Sequence, residues 1–229
     1  PFTLMAYIAG FTKTIRLVTG IIILPQRQTV LVAKQAAEVD VLSDGRLRMG
    51  VGVGWNPVEF VALGEDFTTR GRRIEEQIEV LRLLWTDNPI DYHGKWHDIV
   101  AAGINPLPIQ RPIPIWMGAG APGQPTGPNV ALERVGRLAD GYFPLCEAGE
   151  TAKKLIDTVK GYAQKAGRNP DDLKIEGRID LMGSPEEWKT AVIEWERLGA
   201  DAVSIGTTRG PFNTPSEHID AIKTFKEIL

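Results

Sequence analysis

Two stretches place glycines where chemistry needs bare backbone. In "MGVGVGWNPVEF", Met49 to Phe60, Gly50, Gly52 and Gly54 alternate with Val51 and Val53 before Trp55, Asn56 and Pro57 close the run. At a period of two the glycines share one face of a strand. A face without side chains admits a flat ligand, or the close packing of a neighbouring element. Trp55 and Asn56 fall at the carboxyl end of that strand, where barrel and doubly wound enzymes carry their chemistry. Trp55 suits a substrate wall or a half-buried packing position. Asn56 either bonds a ring carbonyl or shapes the turn before Pro57. In "MGAGAPGQPTGPN", Met117 to Asn129, a strand ends in Gly118, Ala119 and Gly120, and a helix starts with Asn129 as its N-cap. Bare amides beside a helix N-terminus suit phosphate. "GAGAPG" has the look of a dinucleotide fingerprint, but no acidic residue ends a following strand at the usual distance, which counts against a Rossmann-type site.

The remaining reactive types are sparse. Cys146, the single cysteine, falls just past a strand end. It reads as a packed thiol because no histidine partner is evident, and with Asn56 it is the candidate substrate contact. His93, His97 and His218 read as surface or loop residues. Glu59 suits a cap or an ion pair on the helix that follows it. Arg27 suits a solvated position after the first strand, with an anion contact as the alternative. Arg70, Arg72 and Arg73 start a helix, and Arg73 is expected to pair with Glu75 or Glu76. No catalytic residue and no metal ligand set is assigned.

Composition narrows the partners. The 229 residues carry a net charge of −3 with no basic stripe, so nucleic acid is not expected. One cysteine allows neither an intrachain disulfide nor a cysteine-based metal site, which suits a reducing cytoplasm. The longest unbroken apolar run, Leu4 to Ala9, is too short to cross a bilayer. A small-molecule substrate is the expected partner.

The elements that position these residues alternate. Helical spacing marks residues from Pro1, from Thr29, over 70–85, from Asn129, from Glu150, from Ser184 with Pro185 in the first turn, and from Ser216. Between them run β-branched or apolar strands: "TIRLVTGIIILP", "RLRMGVGVG", "PIPIWMGAG", "DGYFPLC", "LKIEGRIDLM" and "DAVSIG". A proline-rich excursion at about 86–112 holds a small hairpin around Gly94. Six strands joined by helical crossovers imply a mainly parallel α/β sheet, either open or part of a (β/α)8 barrel. The whole of 1–229 is read as one domain.

The ordered set "IRLVTGIIILPQR", "LVAKQAAEVDVLSDGRLRMGVGVGWNPVEF", "RGRRIEEQIEVLRLLW", "PIPIWMGAG" and "RLADGYFP" resembles the bacterial-luciferase-like superfamily, and within it the branch using the deazaflavin coenzyme F-420. The resemblance covers almost the whole chain. It implies a TIM barrel with the first two strands absent from this chain, and a homodimer. It also implies a bulge, often with a cis peptide, at the "VTGI" strand, here at Gly20–Ile21. Thr19, Gly20 and Ile21 would then back the deazaflavin ring, Gly52, Val53, Gly54 and Trp55 would line its edge, and Gly118, Ala119 and Gly120 would reach the phosphate of its tail. The loop insert "APGQPTGP" departs from the shorter family loop. The family's second strand supplies a histidine or acidic proton donor, which none of the three histidines replaces. The implied activity is hydride transfer between F-420 and a small organic substrate. The alternatives are an FMN-dependent monooxygenase and a non-catalytic barrel relative that acts as a binding partner.

Overall fold

In the computed structural model, which describes residues 1–120 and 126–229, strands rich in β-branched residues alternate with helices that bury one face. The chain divides into two compact units, Pro1–Met117 and Gly118–Leu229.

The first unit opens with helix α1 (Phe2–Phe11), which contains no charged residue. Strands β1 (Leu17–Val18) and β2 (Ile22–Ile23) follow, then α2 (Thr29–Leu42), β3 (Leu47–Gly52), the short α3 (Pro57–Ala62) and α4 (Arg70–Thr86). Strands β4 (Ile90–His93) and β5 (Asp98–Ala102) form the antiparallel hairpin expected around Gly94. Strand β6 (Ile115–Ala119) follows, its residues up to Met117 belonging to this unit. β1 and β2 both pair parallel with β3, and β3 pairs parallel with β6 at Met49↔Ile115 and Val51↔Met117. Leu47, Met49, Val51 and Ile115 are buried with Ile74, Ile78, Leu81 and Trp85 of α4 and Ala33, Ala36 and Val39 of α2. The Trp85 indole donates to the Ala33 carbonyl at 3.1 Å, so even the largest buried ring is satisfied. The α3 helix was not read from the sequence. Six residues carry too little periodicity, and only its Asn56-Pro57 start marks it.

The second unit carries α5 (Asn129–Leu138), β7 (Gly141–Pro144), α6 (Glu150–Lys165), β8 (Lys174–Asp180), α7 (Pro185–Arg197), β9 (Ala202–Gly206) and α8 (Pro215–Glu227). β7, β8 and β9 pair in parallel. Ser184 caps α7 in a reciprocal box with Glu187, as the Ser-Pro start implies. One expectation is corrected here: Asn129 is the first helical residue of α5, not its cap. Pro128, in extended conformation, takes the cap position without a side-chain bond. Counting β1 and β2 as one interrupted strand, the described residues contain six parallel positions, as the alternation implied. Among the described residues no helix is long and apolar enough to cross a membrane.

Candidate functional site

The interruption between β1 and β2 shapes the first unit's carboxyl end. Val18 pairs with Arg48 and Ile22 with Val51, so three residues, Thr19 to Ile21, stand opposite two on β3. This is a one-residue bulge. The Gly20–Ile21 peptide within it is cis. Thr19 is buried, and its hydroxyl donates to the Gly50 carbonyl at 2.8 Å.

The β3 glycines have their explanation in the bulge. A Cβ on Gly50 would fall on the Thr19 carbonyl. One on Gly52 would lie 2.6 Å from Ile21 Cδ1, and one on Gly54 2.7 Å from Ile23 Cγ2 and 3.2 Å from the Phe60 ring. The bare face seen in the sequence therefore admits the chain's own neighbouring strand. What opens outward is the bulge itself. Nothing lies within 4 Å of a Cβ position on Gly20, and Ile21 is 42% exposed.

Trp55 is 68% exposed, which removes the half-buried packing role and leaves an aromatic face at the strand end. Val53 is half-buried. Gly54 has φ +74°, and its carbonyl accepts from Arg70 Nε at 3.2 Å. Asn56 caps α3, accepting from the Val58 amide at 3.2 Å and donating to Glu59 Oε1 at 3.2 Å. Gln26 donates to the other Glu59 oxygen at 3.1 Å, so the rim around Trp55 is tied to the segment after β2.

Two further sequence readings change, for Arg73 and Arg27, and the loop residue His97 gains partners. Arg73 pairs with Glu65, its Nη2 at 2.7 Å from Oε1, and not with Glu75 or Glu76, because Glu65 sits beside the start of α4. Arg27 is half-buried rather than solvated, with Nε enclosed and without a hydrogen-bond partner among the described residues. His97 is a loop residue with a largely buried ring. Its Nδ1 donates to Glu76 Oε1 at 2.8 Å, and Nε2 lies 2.6 Å from the Thr29 hydroxyl. His93 is exposed and pairs with Asp98, and His218 meets the edge of Phe212.

In the second unit Gly118 is half-buried against the Phe143 carbonyl, Ala119 is buried, and Gly120 is exposed with φ +116°. Residues 121–125 of the "APGQPTGP" insert lie outside the described residues. Cys146 is half-buried. Burial, with a smaller contribution from Glu147, pushes its thiol pKa up and keeps it protonated, which disfavours a nucleophile. The nearby Tyr142 phenol is also raised by burial, and its buried hydroxyl has no hydrogen-bond partner among the described residues. Among those residues no group of three His, Cys, Asp or Glu could hold a metal.

A polar cluster on β8 escaped the sequence reading. "KIEGRID" alternates charged residues with Ile175, Gly177 and Ile179, a period-two signal that was legible but passed as an ordinary strand.

Residues 1–182 match the model of the luciferase-like monooxygenase family. The chain belongs to that family. This luciferase-like chain is 34% identical over 199 residues to an F-420-dependent glucose-6-phosphate dehydrogenase of Nocardia farcinica, covering 81% of this chain and 56% of that protein. The chain spans about half the length of the curated relatives it matches, 55% to 56% of those with 34% to 35% identity. Its fold is similar to that of monooxygenase RslO1 from Streptomyces bottropensis (TM-score 0.84, 22% identity, all of this chain and 82% of that one). It is also similar to a coenzyme F-420-dependent tetrahydromethanopterin reductase from Methanopyrus kandleri (TM-score 0.76, 18% identity, all of this chain and 87% of that one). The luciferase-like fold is thus TIM-barrel-like α/β, as the resemblance implied.

Proposed function

We propose that this chain serves an oxidoreductase that passes hydride between coenzyme F-420 and a small organic substrate. The observation that carries the reading is the bulge at Thr19–Ile21, which turns an unobstructed Gly20 and a half-exposed Ile21 outward at a strand end. These residues fit a planar ring. Gly20 offers no side chain, Ile21 offers apolar surface that excludes water, and the Thr19 hydroxyl bond holds the bulge to β3. Trp55 supplies an exposed aromatic face, and the neighbouring Asn56 is held by the Asn56–Glu59–Gln26 bonds. The coenzyme would supply the hydride at C5 of its ring; the protein orients the ring and keeps water from it. The Nocardia farcinica relative supports the deazaflavin. For the assembly we propose a homodimer.

FMN is the second reading, favoured by the family's monooxygenase description and by the likeness to RslO1. Tryptophan fluorescence titration separates the two. F-420 is expected to bind more tightly than FMN, and Trp55→Ala is expected to weaken F-420 about tenfold, the order of one lost aromatic contact, without changing Tm. Binding of FMN with none of F-420 would reverse the assignment.

A further inference from the structure

The carboxyl ends of β8 and β9 carry a charge cluster that the hydride-transfer reading does not use. Along β8, Gly177 faces the Trp195 indole of α7, so Arg178 and Asp180 stand on the opposite face. The Asp180 side chain is 18% exposed and accepts from two guanidinium groups. Arg178 donates to Oδ1 through Nε at 3.0 Å and Nη2 at 2.9 Å, and Arg209 donates to Oδ2 through Nη1 at 3.1 Å. Gly206, the register partner of Asp180 and the last residue of β9, makes room for them. A Cβ there would fall on Asp180 Oδ1 and lie 2.7 Å from Arg178 Nη2.

One carboxylate shared by two guanidinium groups leaves one positive charge in excess. Among the described residues neither arginine has a second acidic partner. Glu176, on the same face one step toward the amino end of β8, is buried with interactions of its own. The Arg178 and Arg209 side chains are 49% and 69% exposed, so Arg178 Nη1 and the remaining Arg209 nitrogens can meet a ligand. The Nε–Nη2 edge of Arg209 is a fork that matches an oxyanion edge, and Arg178 Nη1 beside it adds a further point of contact.

We propose that Arg178 and Arg209 form a binding site for a small oxyanion, a phosphate or carboxylate group, with Asp180 holding the two guanidinium groups in place. The group belongs either to the substrate or to the coenzyme tail. The site does not depend on where the ring binds.

Calorimetric titration with inorganic phosphate at low ionic strength tests it on four proteins: wild type, Arg209→Gln, Arg178→Gln and Lys223→Gln. The last removes an exposed charge on α8 and matches the change in net charge. Saturable binding is expected in wild type. Kd should rise about tenfold in each arginine variant, as for one lost hydrogen bond to a charged group, and less than about twofold in Lys223→Gln, as for distant screened charges. Arg209 is exposed, so its variant keeps the fold if Arg178→Gln does not. No saturable binding in wild type, or Arg209→Gln behaving like Lys223→Gln, would overturn the site. Repeating the titration with F-420 present assigns the source. Loss of phosphate binding gives the site to the coenzyme tail, and retained binding gives it to the substrate. Failure of F-420 itself to bind would undo the coenzyme reading and leave the phosphate result standing.

Discussion

Gly50 and Gly20 lie close in the fold and have opposite requirements. Gly50 faces the Thr19 carbonyl, and a methyl group there meets backbone that cannot rotate away. Gly20 faces open space. Gly50→Ala is therefore expected to destabilise the protein by about 2–3 kcal/mol, the cost of overpacking a rigid site. Gly20→Ala should stay within about 1 kcal/mol of wild type and act instead on coenzyme affinity. Urea denaturation read beside an F-420 titration checks both. Equal stability losses would mean that the bulge has no open side. The alternating glycines were visible in the sequence, but the occupant of the space beside them was not. That occupant is a residue 31 positions away whose approach depends on the bulge.

At the scale of elements, the hairpin of β4 and β5 is tied to α4 by two carboxylates: Glu79 Oε2 accepts from the Tyr92 hydroxyl at 3.0 Å, and Glu76 takes four bonds at the hairpin's turn. Glu76 Oε1 accepts from the Trp96 amide at 2.8 Å, the His97 amide at 2.9 Å and the His97 ring, and Oε2 accepts from the Lys95 amide at 3.0 Å. Burial pushes the Glu76 pKa up, but the His97 hydrogen bond and the Trp96 and Lys95 amides outweigh it and bring it below the usual value. A depressed carboxylate pKa contributes stability that is present above the unfolded value, near 4.3 for glutamate, and that is lost as pH falls through the folded value. The melting temperature is expected to drop below about pH 4, with a shallower acid limb in Glu76→Gln. Parallel limbs in melting scans from pH 6 to pH 3 would show that another group carries the dependence. The hairpin was legible from Gly94 and its flanking strand residues. Its attachment was not, because Glu76 reads on the sequence as one more charge on an amphipathic helix, and His97 as an ordinary loop histidine.

For the whole molecule, α1 poses the question of assembly. Leu4, Tyr7 and Phe11 lie on one face of a helix without charges, and all three are exposed, with Leu31 and Leu42 exposed on the neighbouring α2. An apolar surface of this kind is the expected seat of a second copy in a homodimer. Light scattering should give twice the chain mass for wild type and the chain mass for Leu4→Glu/Tyr7→Glu; an unchanged mass in the variant would move the interface elsewhere. By itself the sequence determined the order of the strands and of the longer helices, because hydrophobic period and turn residues are local properties of the chain, and its ordered motifs gave, through the family resemblance, the family and the position of the bulge. Only the tertiary structure decided that the β3 glycines receive Thr19 and Ile21, that His97 is bound to Glu76, and that Arg178 and Arg209 converge on Asp180. Each of these depends on which distant segment packs against a residue. Register and close packing fix that choice, and neither is written in the spacing of residues along the chain.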